Sequence, residues 1–273
     1  MRLGLIGAGN MASALARGIG EPVLVADIDR DKAHALAEAL GGEAVDSNAA
    51  LAERADAIVL CHKPKQLGEV AAEASGRARV VISILAAVTT ERLEQAYPGV
   101  PVYRFIPNIP AEVRRGVLCY TPGSRAAEGP EREILELFGR AGTVIRLDDE
   151  PLIEPAMALM SCGAAFMALV AESFADAGEA HGLPHEEAVR MTVKTMAGVS
   201  AYLAEHGYDM EALRARVATP GGATEVIALR HGYSGRSMLA HLIQMVKDGR
   251  VKTDDGSRLV HTLNGTACAV GRT

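Results

Sequence analysis

The chain has 273 residues, 49% of them hydrophobic, and a net charge of -6 from 34 acidic and 28 basic side chains. That is enough apolar chain for one large core or two modest ones. The acidic balance is spread along the sequence and no Lys/Arg cluster stands beside aromatic residues, which argues against nucleic acid or an anionic membrane surface and leaves small molecules as the expected ligands.

The apolar start is too short for a signal-peptide core, and no later run is read as approaching the roughly 18 consecutive apolar residues of a membrane span, so a cytoplasmic protein without a membrane partner is expected. Cys61, Cys119, Cys162 and Cys268 lie far apart with no CxxC pair, the pattern of reduced thiols. His181 and His185 have the spacing of one helical turn, but Pro184 between them breaks that helix, and no metal site is expected.

In chain order, the first half alternates short β-branched runs with Ala-, Leu- and Glu-rich stretches, the pattern of a parallel sheet covered by helices on both faces. Strands are predicted at residues 3–6, 23–26, 57–61, 80–84 and 102–106, and a weaker pair at 117–120 and 144–147 flanks a helix near 131–140. Segments such as 31–40 have the propensity and spacing of crossover helices. After Asp148 the strand-like runs stop and the chain reads as helices, which sets an α/β domain at residues 1–149 and an all-α domain at 150–273. In the second domain Phe166, Leu169, Val170 and Phe174 form one apolar stripe, with Ala and Met filling much of the remaining circumference. In so small a domain such a helix is expected to pack against a second copy of the chain, a core helix of a monomeric bundle being the alternative.

Gly7-Ala8-Gly9-Asn10-Met11-Ala12 is a GxGxxA motif directly after the first strand and at the opening of a helix. The first glycine permits a tight turn, the second lets backbone approach a pyrophosphate, and small Ala12 lets helix and strand pack closely. The helix N-terminus adds free N–H groups and a positive dipole end. Asp27, twenty residues after Gly7, ends the second strand where a carboxylate accepts from the adenosine ribose hydroxyls. The expected cofactor is NAD or NADP. Asp27 tilts the choice towards NAD, while Arg30 stands close enough in sequence to meet a 2′-phosphate.

With these residues in view, the sequence resembles the pyrroline-5-carboxylate reductase family. The likeness rests on Gly7-Ala8-Gly9-Asn10-Met11, on Lys63-Pro64, on Ser83 with Ala86-Ala87-Val88-Thr89, on Pro107-Asn108 after Arg104, and on Thr219-Pro220-Gly221-Gly222-Ala223-Thr224. It implies a Rossmann-type doubly wound domain, an all-helical C-terminal dimerisation domain, and reduction of 1-pyrroline-5-carboxylate to L-proline by hydride transfer from NAD(P)H. It places Lys63, Pro64, Ala86 and Asn108 on the cofactor side of the cleft. Lys63 is equally an exposed lysine at a strand end, and Asn48, where the family contacts the ribose, is equally a cap for the helix at 49–53.

The resemblance also implies that Thr219, Gly221, Gly222, Ala223 and Cys162 bind the substrate. Free N–H groups at Gly221-Gly222 make a nest for a carboxylate, and the Thr224 hydroxyl can bond an imine nitrogen as donor or acceptor, which makes it the candidate catalytic group. Where the family carries Met-Pro-Asn-Thr-Pro this chain has Ile106-Pro107-Asn108-Ile109-Pro110, and Ser-Gly-Ser-Gly-Pro-Ala-Tyr is replaced by Met160-Ser161-Cys162-Gly163-Ala164-Ala165-Phe166. In this the chain is similar to divergent, competence-operon members of the family. The lost hydroxyls leave two alternatives open: reduction of another small imine or keto acid, and a non-catalytic NAD(P)-binding regulator.

Overall fold

In the computed structural model, which describes residues 1–218, eight strands form one sheet. They are β1 (Leu3–Ile6), β2 (Leu24–Ala26), β3 (Glu43–Ala44), β4 (Ala57–Leu60), β5 (Val81–Ser83), β6 (Val102–Pro107), β7 (Gly116–Pro122) and β8 (Gly142–Arg146), in the order β3-β2-β1-β4-β5-β6-β7-β8. The helices accompanying the sheet are α1 (Asn10–Ile19), α2 (Arg30–Ala39), α3 (Asn48–Arg54), α4 (Leu67–Ala74), α5 (Thr90–Ala96) and α6 (Glu131–Phe138).

The strands from β3 to β6 run parallel and are covered on both faces, which is why the inner ones read as unbroken apolar runs. Alternate side chains still go to opposite sides. Leu3, Leu5, Val25, Val59, Ile82 and Phe105 share one core with Leu15 and Ile19 of α1, Leu36 of α2 and Phe138 of α6. Ile6, Leu24, Ile58, Leu60 and Val81 share the other with Leu51 of α3, Val70 of α4 and Leu93 of α5. Each such buried Leu, Ile or Phe contributes roughly 1.5–3 kcal/mol.

Two features depart from the sequence reading. β3, only two residues long, is too short to show a period. β7 runs antiparallel to β6, with Thr121 opposite Arg104. The five-residue 3₁₀ turn Ile109–Val113 between them is too short for the crossover that a parallel partner requires.

Packing divides the chain into two compact units with the boundary between Ala168 and Leu169, whereas composition changes at Asp148. The intervening stretch packs on the sheet-bearing unit: Ile153 and Ala158 are buried, and Glu150 and Glu154 both pair with Arg104 of β6. Composition reports helix content, not which neighbours a helix touches. α7 (Ile153–Ala156), a π-helical turn at Met157–Ser161 and α8 (Cys162–Ala180) follow one another. Together they lie in a 31-residue helical stretch, Glu150–Ala180, long and apolar enough to cross a membrane. This corrects the expectation from consecutive apolar residues. Residues 155–171 carry no charged side chain, and a criterion of unbroken apolar runs stops at Ser161.

In the second unit α8 ends at Ala180, Gly182 turns the chain at φ +94°, and Pro184 precedes α9 (His185–Glu205). His181 and His185 thus fall on either side of a helix break. α10 (Met210–Val217) is capped by Asp209, whose carboxylate accepts from the Ala212 N–H.

Candidate dinucleotide site

The segments following β1, β2, β4, β5 and β6 all emerge at one edge of the sheet, because those five strands run parallel. Strand order reverses between β1 and β4, and that switch point is where open α/β sheets bind their ligands. The turn after β1 begins at Gly7, whose N–H donates to Ala26 O. At φ +109° a side chain here would be strained, and a Cβ would stand 2.8 Å from the Cys61 carbonyl carbon and 2.9 Å from His62 N. Only glycine lets this turn lie against the end of β4.

Gly9 is different. Its backbone (φ -72°, ψ 178°) suits any residue, and among the described residues a Cβ built on it meets no atom within 4 Å. Among the described residues the space above Gly9 is open and no side chain caps α1, so the first N–H groups of the helix can meet an anion. Ala12 is buried, letting α1 pack closely, while Asn10 is exposed and Met11 half-buried. The loop fits a pyrophosphate.

Asp27 closes this loop from the β2 side. Its Oδ2 accepts from the Ala8 N–H at 2.6 Å and its Oδ1 from the Asp29 N–H at 2.8 Å. One carboxylate thereby ties the glycine turn to the β2–α2 loop, through charge-assisted bonds stronger than neutral ones. Arg30 reaches across to Asp46, Nη1 to Oδ1, at 2.8 Å. The cap of α3 is Ser47, whose hydroxyl accepts from the Ala50 N–H. Asn48 is the first residue inside that helix and donates its amide to Glu73 at 2.9 Å, which corrects the reading of Asn48 as the cap.

After β4, Lys63 is exposed and its N–H donates to the Gln66 side chain, with Pro64 opening a short 3₁₀ turn. His62, just before, bonds the Lys63 carbonyl through Nδ1 at 2.9 Å, and its buried Nε2 has no partner among the described residues. Burial lowers the His62 imidazole below its usual range against the opposing pull of that carbonyl. Burial likewise pushes the Cys61 thiol up, away from the thiolate form. Ala86 is exposed in the loop after β5.

After β6 the side chains turn inward. Asn108, 6% exposed, donates to Met160 O at 3.0 Å and accepts from the Val117 N–H at 2.9 Å. Both ends of its amide are engaged by protein, and Asn108 joins β7 to the π-helical turn. Arg104 is buried too, with Nη1 2.9 Å from Glu150 and Nη2 3.0 Å from Glu154. Glu150 also accepts from the N–H and hydroxyl of Thr90, both at 2.7 Å. Burial acts to raise the Glu150 carboxyl, but the Thr90 bonds and Arg104 outweigh it and hold the group below the usual carboxylate range. Sequence reasoning missed this cluster, since Glu150 reads as loop charge and its partners lie 46 and 60 residues away.

Cys162 opens α8 as a half-buried free thiol. Thr219, Gly221, Gly222, Ala223 and Thr224, the expected substrate loop and catalytic hydroxyl, lie outside the described residues.

Comparison with known proteins agrees with this geometry. Residues 150–250 match the family model for pyrroline-5-carboxylate reductase dimerisation, and residues 2–87 match that for NADP oxidoreductase, coenzyme F420-dependent. The chain is 32% identical over 235 residues to a pyrroline-5-carboxylate reductase of Pseudomonas aeruginosa, covering 82% of this chain and 86% of the relative. It is 30% identical over 230 residues to that of Aquifex aeolicus, with the same coverage. Among solved structures, a pyrroline-5-carboxylate reductase from Coxiella burnetii superposes with a TM-score of 0.80 at 27% identity, over 89% of this chain and 95% of that one. A glycine turn at the switch point, an acid clamping it, and relatedness along most of its length together show that the chain belongs to the pyrroline-5-carboxylate reductase family.

Proposed function

We propose that the protein reduces 1-pyrroline-5-carboxylate to L-proline with NADH or NADPH. The observation that carries this reading is the open space above Gly9 beside an acid-clamped turn, in a chain 32% identical to a pyrroline-5-carboxylate reductase. A bound nicotinamide supplies the hydride. The chain's part is to hold and align. Gly9, Asn10, Met11 and the N-terminus of α1 take the pyrophosphate and Asp27 the adenosine ribose, while Lys63, Pro64 and Ala86 line the nicotinamide half. The N–H groups of Gly221 and Gly222 take the substrate carboxylate, flanked by Thr219, Ala223 and Cys162, and the Thr224 hydroxyl aligns the ring nitrogen. A protonated imine is already electrophilic, so the site needs no strong acid.

The protein is a homo-oligomer. In this reading a second copy, not a lipid bilayer, covers the apolar side chains of the Glu150–Ala180 stretch, among which Leu159, Met167 and Phe174 are more than half exposed in the single chain. The free thiols of Cys61, Cys119 and Cys162 fit a reducing compartment, the cytoplasm.

A second reading, reduction of another small imine or keto acid, is favoured by Ile109 and Phe166, apolar where the family carries hydroxyls. Absorbance loss of NADH and NADPH separates the two. Oxidation that requires 1-pyrroline-5-carboxylate is expected, and Thr224→Ala should lower turnover about 10²-fold with cofactor affinity nearly intact. Oxidation only with other imines or keto acids would favour the second reading, and cofactor binding without turnover across the panel would overturn both.

A further inference from the structure

Beyond the C-terminal ends of β2 and β3 the loops form a small hollow open to solvent, lined by Asp27, Arg30, His34 and Asp46 with the apolar Ala33 and Val45. This is the end of the fold where an adenosine ribose lies, because Asp27 occupies the acidic position that meets the 2′-oxygen. A second observation points to the same ligand. Ile28, adjoining Asp27, is 94% exposed, an apolar surface that an adenine ring can cover.

The charges of this pocket are arranged against a phosphate. Two cations stand in the β2–α2 region, and each is already held by an acid: Arg30 by Asp46 at 2.8 Å and Lys32 by Asp29 at 2.8 Å. Asp27 is pinned in place by its two backbone bonds and cannot swing away from an incoming anion without releasing the glycine turn. A ribose with a free 2′-hydroxyl can donate to Asp27. A 2′-phosphate instead meets two carboxylates, and it gains Arg30 only after Asp46 has let go.

We infer that Asp46 is a cofactor-specificity residue: by holding Arg30 and placing a second carboxylate in the Asp27 pocket, it selects NADH over NADPH. The assignment rests on the dinucleotide reading above and adds to it a residue outside the glycine motif, contributed by the short loop between β3 and α3. Arg30 and Asp46 are both largely exposed, with side-chain exposures of 68% and 88%. The pair lies at the surface, so a single charge change there should be legible as a change in selectivity without a change in fold.

Titration of cofactor fluorescence tests this, with no tryptophan in the chain to interfere. The unaltered protein should bind NADH more tightly than NADPH, by about tenfold. Asp46→Asn should tighten NADPH about fivefold while leaving NADH within about twofold, and adding Arg30→Ala should remove that gain. A purely structural role for Asp46 would move both dissociation constants together. Equal changes for the two cofactors, no change, or a parent protein that prefers NADPH would overturn the assignment. Failure of the parent protein to bind either cofactor would overturn the dinucleotide reading as well.

Discussion

Replacing Gly9 with alanine should leave the protein folded and remove its hold on the dinucleotide. The backbone at Gly9 is extended and suits any side chain, and the added methyl meets no atom of the described residues within 4 Å. The melting temperature should therefore stay within about 2 °C. The methyl would stand in the space that a pyrophosphate needs to reach the α1 N–H groups, and a weakening of roughly 30-fold or more is expected, ~2 kcal/mol of binding free energy. Gly7→Ala is the contrasting substitution. Its positive φ and the 2.8 Å approach to the Cys61 backbone should destabilise the fold by about 2–4 kcal/mol, so that binding and stability fall together. Fluorescence titration beside thermal unfolding separates the two. Normal cofactor affinity in Gly9→Ala would mean that the phosphates lie elsewhere.

The second large effect is expected at Arg104. Its guanidinium, 3% exposed, holds Glu150 and Glu154, and Thr90 of α5 joins through Glu150. Arg104→Met keeps the bulk but leaves the Glu150 carboxylate without its cation. Breaking such a pair from one side costs about 3–5 kcal/mol when both charges are fully buried. The acids here are partly exposed, 22% and 46%, which reduces the expectation to roughly 2–3 kcal/mol.

The pH dependence follows from the sign of the shift. Glu150 is held below its ordinary value of 4.5 in the folded protein, so its contribution is complete above that pH and is lost as pH falls through the folded value. Denaturant unfolding at neutral pH and near pH 4 should show this acid loss in the parent protein, and a smaller one in Arg104→Met. An acid profile unchanged by Arg104→Met would show that Thr90 alone holds the carboxylate.

What could be read from the sequence was what local rules govern. β1, β4 and β5 are short apolar runs bounded by turn residues, and the glycine motif sits where a strand gives way to a helix, so sheet and cofactor loop were both legible. Side-chain partners across long separations were not. Asp27 was expected near a ribose, but nothing local shows its carboxylate gripping the Ala8 N–H, since that bond depends on β1 and β2 lying side by side. Asn108 matched a family motif, yet its amide is engaged by Val117 and by the carbonyl of Met160, 52 residues away. Ser47 and Asn48 are both good caps, and only the backbone geometry chooses Ser47. The reversal of β7 likewise depends on the length of the turn before it, which composition does not report.

Deuterium transfer shows whether the chain moves hydride from a nicotinamide to the imine carbon. The protein would be incubated with 1-pyrroline-5-carboxylate and NADH deuterated at both C4 positions, and the product examined by mass spectrometry and NMR. L-proline carrying one deuterium at the ring carbon that was double-bonded to nitrogen is expected, formed roughly 30-fold more slowly by Gly9→Ala when the cofactor is below its dissociation constant. Proline without deuterium, or tight NADH binding with no proline formed, would contradict that transfer.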